Sequence, residues 1–171
     1  MMKFLLLTFV FASTALAGQL DLAVIQYATE KDSALLAEGF ASGDLSDLIN
    51  SGSLTRGDNY IRGGAVIFAQ TIPANPGSRL STSTRLGDDR VDVQTSLNGL
   101  NLTANISIFS GVQQALRSFT ERSYSGEGNL SGGRPTIIAV LGSSGRSANN
   151  IKGRVSVKTV GFTTIIVAQY R

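Results

Sequence analysis

VDVQTSLNGLNLTANISIF, residues Val91 to Phe109, alternates apolar and polar side chains on both sides of a single Asn-Gly pair. A period of two is that of a strand with one face on a core, and Asn-Gly is the pair that a two-residue hairpin loop favours. With Asn98-Gly99 as the loop, Leu97 faces Leu100, Thr95 faces Leu102, Val93 faces Ala104 and Val91 faces Ile106, which gathers the apolar residues on one side. Asp92, Gln94, Ser96, Asn101, Thr103, Asn105 and Ser107 gather on the other.

Upstream of this hairpin, Leu80, Thr82, Thr84 and Leu86 alternate in the same way. They reach Arg90 through Gly87-Asp88-Asp89, which predicts a third strand and a meander. Two other segments are apolar without alternation: Ala65 to Ile72, closed by Pro73 and Pro76, and Thr136 to Leu141. Such runs read as strands covered on both faces, and the first is expected at the centre of a sheet. Leu20 to Tyr27 reads as a first strand. Helices are expected over 31–41 and 44–50, with Leu35, Leu36 and Phe40 at helical spacing and Asp44 able to cap the second.

Ser51 to Gly64 reads as loop. Ser110 and Gln113 have capping-box spacing for a helix presenting Val112, Ala115, Leu116 and Phe119 on one face. A glycine- and serine-dense loop from Ser123 to Arg134 follows, and strands at 152–160 and 162–169, hinged at Gly161, close the chain. No internal repeat or shift in composition divides it. The expected fold is therefore mainly β: an antiparallel two-layer sandwich or helix-backed sheet with about eight strands and two or three short helices.

Ahead of this domain, Met1-Met2-Lys3, the apolar run Phe4 to Ala12 and the small-residue site Ala15-Leu16-Ala17 have the order of a secretory signal peptide, and the apolar run is too short to span a bilayer. This divides the chain into a leader, 1–17, and a single β-rich domain, 18–171, and makes the product secreted or periplasmic. No cysteine is present, so the exported domain is held by packing rather than disulfides. The pI of 9.5 rests on a formal charge of only +3, of which Lys3 leaves with the leader. Arginines scattered from Arg56 to Arg171 form no basic stripe, and no nucleic-acid partner is expected.

Histidine and tryptophan are absent. The commonest metal ligand, the commonest neutral-pH base and the usual sugar-stacking ring are thus missing. Gly142-Ser143-Ser144-Gly145-Arg146-Ser147-Ala148 follows an apolar strand as a phosphate loop would, but no helix pattern and no acidic residue follow at dinucleotide-fold spacing, so it reads as a hairpin or loop connection. Neither cofactor nor metal is expected. Asp88, Asp89 and Asp92 form the densest acidic group, and Asp88 and Asp89 sit in a predicted turn between Arg85 and Arg90. Their ordinary role is solvated ion pairing, and their spacing matches no calcium loop.

Arg56-Gly57-Asp58 resembles integrin-recognition loops over three residues only. The sequons at Asn101, Asn105 and Asn129 are as frequent as composition alone produces. By elimination, the expected function is a non-catalytic envelope or extracellular binding or structural module, with a protein or envelope component as partner and a homo-oligomer as one form. Gln94, Ser96, Asn101, Thr103 and Asn105 are its candidate contact surface. The rival readings are a secreted hydrolase using two of Asp88, Asp89, Asp92, Glu121 and Glu127, and a small outer-membrane barrel, which the fully apolar strands and few aromatics disfavour.

Overall fold

A computed structural model of the chain describes residues 18–41, 43–54, 61–86, 89–110, 120–151 and 154–171. The leader, Arg56-Gly57-Asp58, Asp88 and the helix expected after Ser110 lie outside the described residues. The elements run β1 Gly18–Tyr27, α1 Ser33–Phe40, α2 Leu45–Asn50, β2 Gly64–Ala74, β3 Arg79–Leu86, β4 Asp89–Asn98, β5 Asn101–Ser110, β6 Thr120–Asn129, β7 Thr136–Ile151 and β8 Arg154–Tyr170. They form two antiparallel four-stranded sheets, ordered β2-β1-β8-β7 and β3-β4-β5-β6.

The inner faces of the two sheets share one apolar cluster, in which Leu20, Leu22, Val24, Phe68, Ile72, Ile166 and Ala168 meet Val91, Val93, Leu97, Leu102, Ala104, Ile106 and Ile108. The opposite face of the first sheet is covered as well. There Ala23, Ile25, Tyr27, Ile165 and Val167 pack under Leu36, Phe40 and Leu45 of the helices, together with Leu54 and Ile61. The molecule is thus both of the expected arrangements at once, a sandwich whose first sheet is also backed by helices.

Both helices start where an aspartate accepts from free amides: Asp32 Oδ1 from Ala34 N at 2.8 Å and Asp44 Oδ1 from Ser46 N at 2.9 Å. Each bond satisfies a donor that the first helical turn cannot.

The β4–β5 hairpin keeps its expected faces but not its expected loop. Asn98 pairs with Asn101, Leu97 with Leu102, Thr95 with Ala104, Val93 with Ile106 and Val91 with Ile108. The loop is Gly99-Leu100, with Gly99 at φ 61°, where a turn of the II′ kind wants its glycine. Because the ladder moved by two residues, every side chain stays on its side. The shift brings Ile108 under Val91, and Leu100 is left exposed.

The two unbroken apolar runs do not lie at the centre of a sheet. They are the edge strands β2 and β7, and Val66, Val140 and Leu141 are exposed. The strands buried on both faces are β1 and β8, which hold Asp21, Thr163, Thr164 and Gln169 among apolar neighbours. Periodicity reports hydrophobicity and not rank in a sheet, and a polar residue survives in a doubly covered strand when it is hydrogen-bonded.

The expected loop at 123–134 is in large part strand β6. Its inward positions are Tyr124, Gly126 and Gly128, leading to buried Leu130. A Cβ on Gly126 would lie 2.8 Å from the Ile138 carbonyl oxygen, and one on Gly128 would lie 2.8 Å from Ile138 Cγ2. The glycines let β6 close against β7 of the opposite sheet. At the other end, Gly161 is no hinge: β8 is continuous through it, with Ser144 as its partner. The presumed connection at 142–148 is likewise part of β7. Beyond the end of β1, these two strands pair, among the described residues, with each other alone, as far as Ile151 and Arg154.

Candidate functional site

On the outward face of β3–β6 the polar halves of four alternating strands lie side by side. The register aligns Arg79, Ser96, Thr103 and Glu127 in one row, and Ser81, Gln94, Asn105 and Ser125 in the next. A third row holds Ser83, Asp92, Ser107 and Ser123; at the hairpin end Asn98, Asn101 and Asn129 align. This face exists because each of these strands spends its apolar positions on the common core, which leaves only Ser, Thr, Asn, Gln and charged groups outside.

Much of the face is committed to itself. Ser83 Oγ donates to Asp92 Oδ1 at 2.6 Å, and Arg90 pairs with Asp92 at 3.0 Å. The Arg90 guanidinium lies over the Phe109 ring, 4.4 Å from its centre. Ser107 and Ser123 share a bond of 3.1 Å, Ser123 donates to Glu121 at 3.1 Å, and Asn129 Nδ2 donates to Asn101 Oδ1 at 2.9 Å. Between these bonded zones is an open hollow of about 270 Å³, lined by Arg79, Leu80, Ser81, Gln94, Thr95, Ser96, Thr103 and Asn105. Among the described residues, the side chains of Gln94, Ser96, Thr103 and Asn105 have no hydrogen-bond partner.

Four of the five residues singled out as a contact surface, Gln94, Ser96, Thr103 and Asn105, therefore line one hollow. Asn101 is a row away and engaged by Asn129. The acidic candidates are dispersed. Asp89 starts β4 opposite Leu86, Asp92 is held by Arg90 and Ser83, and Glu121 is two strands from Asp92. Glu127 is at the far end of β6, beside Thr103. Among the described residues, no three acidic side chains come together as a metal site would need.

A second polar cluster escaped the sequence reading. Asp21, 3% exposed in the middle of β1, accepts from Thr71 Oγ1 at 2.6 Å. Arg171 Nη2 lies 2.6 Å from Asp21 Oδ2, although its N–H bonds do not line up with that oxygen, so the contact is chiefly Coulombic. The same guanidinium reaches Asp44 Oδ2 at 3.1 Å and Ser46 Oγ at 3.4 Å. Gln169 completes the cluster: its Oε1 accepts from Leu45 N at 2.6 Å, and its Nε2 donates to Gly133 O at 2.8 Å.

These bonds tie the start of α2 to the two central strands. Beside them, a hollow of about 180 Å³ runs between α2 and the first two strands. The only sequence signals were polar residues interrupting apolar strands, and their hydrogen-bond partners are 36 to 125 residues away, too far for any local pattern to pair them.

One further buried group is Tyr27. Its hydroxyl has no hydrogen-bond partner, and burial pushes its pKa above the ordinary value. Lys31 Nζ stands 5.4 Å from the centre of its ring.

The chain matches no family model, and no curated protein or solved structure proved similar to it.

Proposed function

We propose that this is an exported, non-catalytic binding module that engages an envelope or extracellular partner through the outward face of β3–β6. The observation that carries the reading is the hollow formed by Gln94, Ser96, Thr103 and Asn105, whose side chains have no hydrogen-bond partner among the described residues, while the rows on either side bond within themselves. Such groups donate and accept in several geometries, and a rigid sheet holds them in place at little cost in entropy. At about 270 Å³ the hollow is smaller than a typical enclosed ligand pocket, which suits contact with an extended partner surface.

The hydrolase reading gains no support from the described carboxylates, because Asp89, Asp92, Glu121 and Glu127 lie apart along β4 and β6 and Asp92 is paired with Arg90. A membrane barrel would reverse the observed polarity: its outer wall is apolar, whereas here the apolar side chains fill the space between two separate sheets. Export rests on the leader, and Gly18, the residue expected to follow cleavage, opens β1.

The test is co-sedimentation of the purified 18–171 chain with the envelope fraction of the producing cell. Gln94→Arg combined with Asn105→Arg should fill the hollow and abolish retention, while Ser83→Arg on the same face should leave it intact. Equal retention of all three proteins would overturn the assignment. So would turnover of a glycoside, ester or peptide substrate that Asp92→Asn or Glu121→Gln removes.

A further inference from the structure

The four sheet edges are unequal. Exposed edges invite pairing with another chain, and charge is the usual defence. The second sheet is defended by Arg79 and Arg85 on β3 and by Glu121, Arg122 and Glu127 on β6. In the first sheet, β7 is approached at Ile138 and Ala139 by β6. Strand β2 has neither protection: residues 64–78 contain no Asp, Glu, Lys or Arg, and among the described residues its one hydrogen-bonded neighbour is β1.

We propose that the free edge of β2 pairs with the same edge of a second copy of this chain, about a two-fold axis passing by Gln70. The register follows from two irregularities. Ile67 is the extra residue of a bulge, since Val24 pairs with Phe68 and Ile25 with Val66, and Pro73 has no N–H to donate. Between them lie five regular residues, Phe68 to Ile72, and Gln70 is the middle one. A strand meeting itself across a two-fold axis is antiparallel, so one pairing sets Phe68 opposite Ile72, Ala69 opposite Thr71 and Gln70 opposite itself.

Side chains argue for the same partner. Phe68 and Ile72 belong to the interior cluster, and each would extend it across the junction. Gln70 Oε1 is buried without a hydrogen-bond partner, an arrangement that disfavours the single chain. Turned toward the edge, its amide meets an identical amide that offers one donor and one acceptor in return. Because β2 is in the other sheet, both β3–β6 faces stay open in the dimer.

The absence of cysteine makes the test clean. The 18–171 chain should sediment as a dimer that dissociates on dilution. Ala69→Cys mixed with Thr71→Cys should cross-link under mild oxidation several-fold more than either variant alone, since these positions are opposite only across the junction. Gln70→Lys places like charges face to face and should give a monomer. Ala69→Lys, at an exposed position, should weaken the dimer at least tenfold with an unchanged circular dichroism spectrum, which covers the case in which Gln70→Lys fails to fold. A wild-type chain that stays monomeric at every concentration would overturn the proposal. Preferential cross-linking of Ala69→Cys to Val140→Cys would also do so, because it would mark head-to-tail assembly through β7.

Discussion

The β3–β6 sheet is made of four consecutive strands, each turning back on its predecessor, with one face on the core and the other in solvent. The β2-β1-β8-β7 sheet is made of both ends of the domain, and its central strands are covered on both faces. In the first case each residue's environment follows from its position along one strand. In the second the central pairing, β1 with β8, joins residues more than 130 positions apart. Two pairs of polar residues show the same division: on the outer face of the meander Ser83 and Asp92 bond to each other in the open, whereas in the two-ended sheet Asp21 and Gln169 are buried against Thr71, Arg171, Leu45 and Gly133.

Six substitutions put this contrast at risk, and the largest effect is expected at Arg171. Arg171→Met leaves the Asp21 carboxylate buried without its cation and should cost about 3 kcal/mol of unfolding free energy. Arg90→Met breaks an exposed ion pair with Asp92 and should cost well under about 1 kcal/mol. Urea denaturation of both variants decides the matter, and similar losses would erase the distinction drawn between the sheets.

Gly126→Val tests the seam where the sheets meet. The new side chain would be driven into Ile138 and Ala139, for a loss of about 2 kcal/mol. Ser125→Val, one residue away on the exposed face, should stay within about 0.5 kcal/mol of wild type. Thermal melting of the pair would sharpen the claim that β6 needs glycine on its inner positions alone.

Tyr27→Phe should raise stability by about 1 kcal/mol, because it removes a buried hydroxyl without a partner. It should also change the alkaline limb. The folded-state pKa of Tyr27 is raised, so the unfolded chain releases this proton first, and stability present below about pH 10 is lost as pH rises past that value. Melting temperatures between neutral pH and pH 11 should fall less steeply in the variant. The smallest effect is expected on the meander, where Thr82 Oγ1 is also buried without a partner but on a half-exposed strand. Thr82→Val should gain about 0.5 kcal/mol in the same denaturation assay.

Particular residues show why parts of the architecture were legible and others were not. The hairpin faces were readable because Val91, Val93, Leu102 and Ile106 keep strict alternation, and this survives a two-residue slip of the loop. Asp44 was readable as a cap because capping is local. Strand β6 was missed because Gly126 and Gly128 occupy the positions where alternation places apolar side chains, so the period was present without its usual residues. The rank of β2 was misread because an apolar run says nothing about how many neighbours a strand has. That Gln94, Ser96, Thr103 and Asn105 point to one side was legible from alternation; their gathering into one hollow needed the registers of three strands.

The amino-acid order alone determined the capping of the second helix by Asp44, that no disulfide holds the domain and the two faces of the Val91–Phe109 segment, though not the exposure of Leu100. These follow from local periodicity, capping and composition. Only tertiary structure decided that β1 and β8 share a sheet, that Asp21 and Gln169 are buried with partners far away in the chain, and that β2 lies at the edge of its sheet among the described residues. The physical reason is that burial and pairing in that sheet are properties of the assembled layers, whose members are separated by most of the chain.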